Sequence, residues 1–283
     1  MNGRRLPAPP GMDGLAGSGR ADLHIHSRAS DGIGGVAEIL DHVQANTTLD
    51  VIAITDHERV DAALAGRTMA ADRGLRFEVV VGEETTTLGG HLLGLYLERP
   101  VKPLQSLRSS IARVHEQGGL AIPAHPLVPF PLCAKAGTLR RLVEDPDQRV
   151  RPDGLEVFNP TTAGRPWYAR VEAFARQMEL AGLGNSDAHL PSQIGQGWTG
   201  FEGRTASDLR TAIASRRTSW HGTFYPAGAQ LVTFLQQLRK YGIDVRDEFG
   251  GLLGGRRTGR DLGYPGGRRR PATFDEVEAR SGR

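Results

Sequence analysis

Apolar and polar positions follow two rhythms between residues 21 and 218. The runs ADLHIH (21–26), LDVIAITDH (49–57), RFEVVVGEE (76–84), HLLGLYL (91–97), LAIPAHP (120–126), GLEVFNP (154–160) and GLGNSDAH (182–189) have the length and apolar density of strands. Between them, residues 36–46, 62–74, 106–119, 167–180 and 205–217 repeat apolar side chains at helical spacing. Gly74 and Gly118 stand where helices would stop, and Thr205 with Asp208 three residues on reads as a capped start. Strands that alternate with helices predict a parallel sheet, and roughly seven such units predict a closed barrel.

Residues 127–153 contain PFPLC and EDPDQRVRPDG and read as a loop-rich insertion. Past residue 218 the pattern fades, apart from one amphipathic stretch, AQLVTFLQQLRKYG (229–242). The organisation expected is a disordered Gly- and Pro-rich leader over 1–19, a barrel over 20–225, and a helix with an Arg/Gly-rich tail over 226–283.

Composition narrows the classes. A chain of 283 residues can bury one large core. No apolar run reaches the ~18 residues of a membrane span. The single cysteine, Cys133, excludes a disulfide and a cysteine-based metal site, and a cytoplasmic protein is expected. The net charge of +3 belongs to the tail, where residues 251–283 carry eight arginines against four acids. A near-neutral body does not favour nucleic acid as the main partner; the tail leaves nucleic acid or an acidic partner open for that segment.

The polar residues are placed more tellingly than they are counted. His24, His26, His57, His125 and His189 fall at or just past strand ends, and His91 near the start of its strand. Asp31, Asp56, Glu83, Glu84, Asn159 and Asp187 follow the same trend. In barrels of parallel strands, functional side chains come from such ends. His24 and His26 point the same way, about 7 Å apart along a strand. Burying two bare imidazoles is costly, and a divalent metal takes lone pairs from both. Asp187 and His189 repeat the spacing. Glu83 and Glu84 point to opposite sides, so only one is a ligand. His42, His115 and His221 sit in helical or loop contexts and read as structural or solvated. A donor set of imidazoles and carboxylates suits Mn, Fe or Zn.

In this order, HIHS with SDG, TDH, GEE, AHP, EVFNP and NSDAH resemble the PHP family, the polymerase and histidinol phosphatase domains, over roughly residues 20–218. The resemblance implies an α/β fold, a distorted (β/α)7 TIM-like barrel, with two or three Mn, Fe or Zn ions at the C-terminal face of its strands. It also implies hydrolysis of phosphoesters. Carried over by position, His24, His26, Glu84 and Asp187 would hold a first metal. Glu84 would bridge to a second with His91 and His125, and Asp31, His57 and His189 would hold a third. Glu83 fills the variable position before the ligand. Asn159 matches a position near the site in some members. Arg28 stands where many members have a small residue, and both phosphate contact and solvation are open to it.

The chemistry expected is attack on phosphorus by a metal-bridging hydroxide. His26, His57, Asp187 and His189 are read as catalytic, with His57 or His189 as the acid at the leaving oxygen. Arg28, Asn159 and Arg165 are read as substrate-binding, with Arg59 a further candidate clamp. The substrate class is a small phosphomonoester such as a nucleotide, sugar or histidinol phosphate. The alternatives are a nucleic-acid end-processing phosphodiesterase, a non-catalytic metal-stabilised scaffold, and an amidohydrolase. The last usually needs a strand-end lysine, and none of Lys102, Lys135 and Lys240 sits on a clear strand end.

Overall fold

The computed structural model describes residues 18–161, 163–226, 228, 233 and 235. The leader up to residue 17, most of the stretch read as a helix over 229–242, and the Arg-rich tail lie outside the described residues. Ser18 and Gly19, read as leader, open the first strand instead.

The strands are β1 (Ser18–Ile25), β2 (Val51–Ile54), β3 (Glu78–Thr87), β4 (Gly90–Leu95), β5 (Leu120–Pro123), β6 (Gly154–Phe158), β7 (Ala181–Gly184), β8 (Gly197–Glu202) and β9 (Thr218–Gly222). The helices are α1 (Val36–Asn46), α2 (Asp61–Asp72), α3 (Leu107–His115), α4 (Ala136–Val143), α5 (Tyr168–Gln177) and α6 (Ala206–Ala214). Seven strands form one curled sheet in the order β5-β4-β3-β2-β1-β8-β9, and β6 and β7 form a second, two-stranded sheet. Among the described residues no helix is long and apolar enough to cross a membrane.

The all-parallel expectation is corrected. Only β1–β2, β2–β3 and β6–β7 pair in parallel, while β3–β4, β4–β5, β1–β8 and β8–β9 are antiparallel. The reason lies at residues 88–89: no helix separates β3 from β4, and a two-residue turn can join strands only antiparallel. The small sheet sits between the two flanks of the large one. The Asp153 N–H beside β6 donates to Ala121 O of β5, and past β7 the Ala188 N–H donates to His24 O.

Strand alternation sorts the core into two layers. Val51, Ala53, Val80, Leu93, Leu95, Ile122 and Leu183 fill the inside of the curl with Leu209 and Ile213 of α6, which closes its lower end. Ile52, Ile54, Val79 and Val81 face the other way and pack under α1 and α2. Thr205 caps α6: its hydroxyl accepts from the Asp208 N–H, while the Asp208 carboxylate accepts from the Thr205 N–H.

One irregularity aims the first strand. Ala21 and Asp22 pair with Val51 and Ile52, but Ile25 pairs with Ile54, so β1 carries an extra residue between Asp22 and Ile25. Such a bulge resets which side chains face in. Leu23 stays inside below it, and His24 and His26 face in above it, with Ile25 turned to the helix layer.

Candidate metal centre

With α6 closing the lower end, the opposite end of the curl gathers polar side chains. β1 supplies His24 and, one residue past its end, His26; β3 supplies Glu84; β4 supplies His91. His57 follows β2, His125 follows β5, and Asp187 and His189 follow β7. Asp31 comes from the loop after β1, which the Asp56 carboxylate holds by accepting from Ser27 N–H (2.8 Å), Ser27 Oγ (2.6 Å) and Ser30 Oγ (2.5 Å).

Glu84 is the centre of the arrangement. Its Oε1 lies 2.7 Å from His91 Nδ1 and 3.0 Å from His125 Nε2. Its Oε2 lies 3.2 Å from His24 Nε2, 3.3 Å from His26 Nε2 and 3.6 Å from His57 Nε2. Asp187 Oδ1 stands 3.4 Å from both His24 Nε2 and His26 Nε2. Asp31 Oδ2 stands 3.0 Å from His189 Nε2 and 3.8 Å from His57 Nε2, and Asp31 Oδ1 3.3 Å from His26 Nδ1. All nine side chains read as ligands thus meet at one place. His57 stands between Glu84 and Asp31.

Four overlapping groups have ligand atoms all within 4.8 Å of one another: His24–His26–Glu84, His24–His125–Asp187, His26–Asp31–His189 and His57–Glu84–His91. The set fits divalent metals on its own geometry. His24 Nε2, both ring nitrogens of His26 and His91 Nδ1 are buried and make no hydrogen bond among the described residues, although carboxylate oxygens lie close by. Buried ring nitrogens left in that state cost free energy, and a cation among them would take a lone pair from each neutral ring.

Electrostatics point the same way. Burial pushes the His26 imidazole down, but Asp187 and Glu84 outweigh it and raise it to about 10. His24 and His125 are raised well above the usual imidazole range against the same burial, His24 chiefly by Asp187 and Glu84, His125 by Cys133 and Glu84. Burial would raise the Glu84 and Asp187 carboxyls, yet the surrounding imidazoles hold both well below the carboxylate range. The carboxylates therefore call for positive charge in this space, as protons or as metal.

Two of the nine sit on strained backbone. His125 has φ of 28° and Asp187 of 52°, values that non-glycine residues seldom adopt. Such strain clusters where a side chain must be aimed.

Sequence reasoning missed the layer behind the ligands. Glu156 of β6 is buried; its Oε1 lies 2.9 Å from His24 Nδ1 and accepts from Asn185 Nδ2 at 2.9 Å. Its Oε2 accepts from the His125 N–H (2.7 Å) and from Asn159 Nδ2 (3.1 Å). The signal was a lone acid inside the apolar run GLEVF. Cys133 was also missed: its Sγ lies 3.6 Å from His125 Nδ1.

The expected substrate contacts fare differently. Asn159 is gathered into the site, where it donates to Glu156 and, at 3.1 Å, to Asp187 Oδ2. Arg28 donates to Ile33 O and pairs with Glu38 at 3.4 Å. Arg165 is exposed, its guanidinium 5.4 Å from the Phe224 ring centroid. Arg59 forks onto the Asp61 carboxylate through two bonds of 2.6 Å and donates to Ala29 O.

Comparison with known proteins gives matches of three kinds. A family model described as PHP-associated matches residues 166–218. The uncharacterized protein MJ1587 of Methanocaldococcus jannaschii is 33% identical over 151 residues, 50% of this chain and 81% of that one. A 5′-3′ exoribonuclease of Haemophilus influenzae is 24% identical over 196 residues, 68% of this chain and 62% of that enzyme. A two-domain protein from Bacteroides vulgatus, containing a predicted PHP-like metal-dependent phosphoesterase, shares the fold with a TM-score of 0.61 at 20% identity. That match covers 73% of this chain and 65% of the other.

Proposed function

The chain belongs to the PHP family, and from that premise we propose that it is a metal-dependent phosphoesterase acting on a small phosphorylated substrate. The observation that carries this reading is the meeting of His24, His26, Asp31, His57, Glu84, His91, His125, Asp187 and His189 in overlapping triads. We read the curled sheet with β6 and β7 as a distorted (β/α)7 barrel whose open end carries the site.

Two or three divalent ions, Mn, Fe or Zn, would be held by these nine side chains, and when bound they would polarise the phosphoryl oxygens and acidify water at neutral pH. The protein's part is to hold and orient. Glu84, with contacts from five imidazoles, belongs to two of the four groups and would help to hold an ion in either. Glu156 keeps the His24 proton on Nδ1 and leaves Nε2 free to ligate. Asn159 fixes the Asp187 carboxylate. The nearest carboxylate oxygen to His57, at 3.6 Å, is farther away than for any other ring of the set, and its side chain is 24% exposed; if the other eight side chains hold the ions, its Nε2 would keep a proton to deliver to the leaving oxygen.

A second reading, a nucleic-acid end-processing phosphodiesterase, is supported by the likeness to the Haemophilus exoribonuclease. One experiment tests both. Release of phosphate from small monoesters, of phenol from diesters and of nucleotides from oligonucleotides is measured with Mn²⁺ added, in the wild type and in Asp187→Ala. Turnover of monoesters lost in the variant supports the first reading, and turnover of oligonucleotides alone supports the second. No turnover of any ester by the metal-loaded wild type would leave the scaffold alternative.

A further inference from the structure

Large apolar side chains are exposed in an uneven way. Among the described residues, Leu88 (77% exposed), Leu104 (63%), Phe130 (56%) and Leu132 (46%) all belong to segments that flank His91 and His125; the fifth of this kind is Leu235. Leu88 sits in the β3–β4 turn, three residues before His91. The Leu104 N–H donates to Thr86 O, and Thr86 is paired across the hairpin with His91. Leu132 O accepts from the His91 N–H at 2.8 Å. Phe130 O accepts from the Cys133 N–H, and Cys133 Sγ touches the His125 ring.

The loop after β1, which carries Asp31, is different. There the flanking groups are Arg28, Ser30, Arg59 and Asp61, tied into polar contacts. The segments beside Asp31 thus carry polar groups, and those beside His91 and His125 carry exposed apolar ones. Exposed apolar patches of this kind mark binding surfaces. A phosphoester held by its phosphoryl oxygens at the metal centre must project its organic part past one set of segments or the other.

Resting on the phosphoester reading above, we propose that the exposed apolar side chains receive the organic part of the substrate and that this part is a flat aromatic group, with Phe130 as the side chain that stacks on it. Aromatic faces bind one another in offset or edge-to-face contact with little demand for hydrogen bonds. A sugar or polyol phosphate, by contrast, would leave hydroxyls against leucine. The loop 127–133 is then the specificity element, and an aryl phosphate or a nucleobase-bearing ester is the class it takes.

The test separates this inference from the reading beneath it. Phenylphosphonate and methylphosphonate carry the same phosphonate oxygens and differ only in the organic group. Each is titrated calorimetrically into the full-length, Mn²⁺-loaded protein, as wild type, Phe130→Ala and Phe130→Tyr. The wild type is expected to bind phenylphosphonate about tenfold more tightly, the effect of removing roughly 55 Å² of apolar surface from water. Phe130→Ala should shrink that preference to below threefold, and Phe130→Tyr should keep it. Equal affinities in the wild type, or a preference that survives Phe130→Ala, would overturn the inference. Binding of neither phosphonate would overturn the phosphoester reading itself, and this inference with it.

Discussion

Glu156 Oε1 lies 2.9 Å from His24 Nδ1, while the other nitrogen of the ring, Nε2, faces Glu84 and Asp187 at 3.2 and 3.4 Å. If His24 ligates a metal through Nε2, the buried carboxylate would hold its remaining proton on Nδ1. A ligating imidazole needs such a partner to fix its tautomer and ring plane. Glu156→Gln keeps the volume and removes the charge. It is expected to weaken Mn²⁺ binding by about 10- to 100-fold, read by titration against a competing metal indicator. Unchanged affinity would show that Glu156 only fills space.

Asn159 spans Glu156 and Asp187 with one amide group. With its amide nitrogen engaged on both carboxylates, it is expected to position Asp187. Asn159→Ala should therefore lower kcat by roughly tenfold, at the low end for such a supporting residue, with KM nearly unchanged. A rise in KM at constant kcat would return Asn159 to the substrate-binding role expected from the sequence.

Removing metal should be read directly in stability. Nine ligand-type groups crowd a space where the carboxylates repel one another and, among the described residues, four ring nitrogens lack hydrogen bonds. An ion at a hundred times its Kd adds about 2.7 kcal/mol per site to the folded state. For a chain of this size that is a rise in Tm of roughly 5–10 °C on adding Mn²⁺ to protein stripped by chelator, measured by calorimetry. A Tm indifferent to metal would count against a preformed centre.

His115 gives a pH dependence away from the metal centre. Its Nε2 lies 2.8 Å from Asp153 Oδ2 and its Nδ1 2.7 Å from Arg149 O, so both nitrogens are used as donors only when the ring is protonated. The Asp153 bond, opposed by partial burial, holds its pKa above the ordinary 6.5. A raised folded-state value means that the stabilisation is complete below about pH 6.5 and fades as pH rises through the folded value. His115→Gln should thus lose about 1 kcal/mol at pH ~5.5 and much less at pH ~9. Equal losses at both would mean that the proton plays no part.

Gly197 tests how tightly the layer behind the ligands is built. A Cβ there would lie 2.1 Å from Asn185 O, and the Asn185 side chain donates to Glu156. Gly197→Ala is expected to destabilise by about 1–3 kcal/mol, read as a lower midpoint in urea. A midpoint equal to that of the wild type would show that β8 can give way at this point.

The sequence made the gathered side chains legible because most are polar residues at the end of an apolar run, where a burial pattern alone does not account for them. His24, His57, Glu84, His125 and Asp187 all stood out in that way. Strand direction was less legible. The turn at Leu88–Gly89 is too short for a crossover, yet RFEVVVGEE and HLLGLYL were read as two units of one parallel array. Strands β8 and β9 were missed because GWTGFE and TSWHG have glycines where apolar residues would mark the alternation, and those glycines are needed for close packing. Helix α4 was missed inside the Pro-rich stretch because only Leu139 and Leu142 are buried on it. Glu156 was passed over because an acid within a strand, away from its end, gives no sign from sequence of what it faces.

The β3–β4 hairpin leaves one distance in the centre free to drift in evolution. His24 and His26 are locked two residues apart by the pleat of one strand. Glu84 and His91 are held together by pairing across two strands, with Thr86 opposite His91 and the turn lying beyond them. Residues inserted at Leu88–Gly89 would lengthen the tip and leave both side chains in register. The wall beside the candidate centre can therefore grow or shrink, and new substrates can be tried against it, without any of the nine side chains changing place.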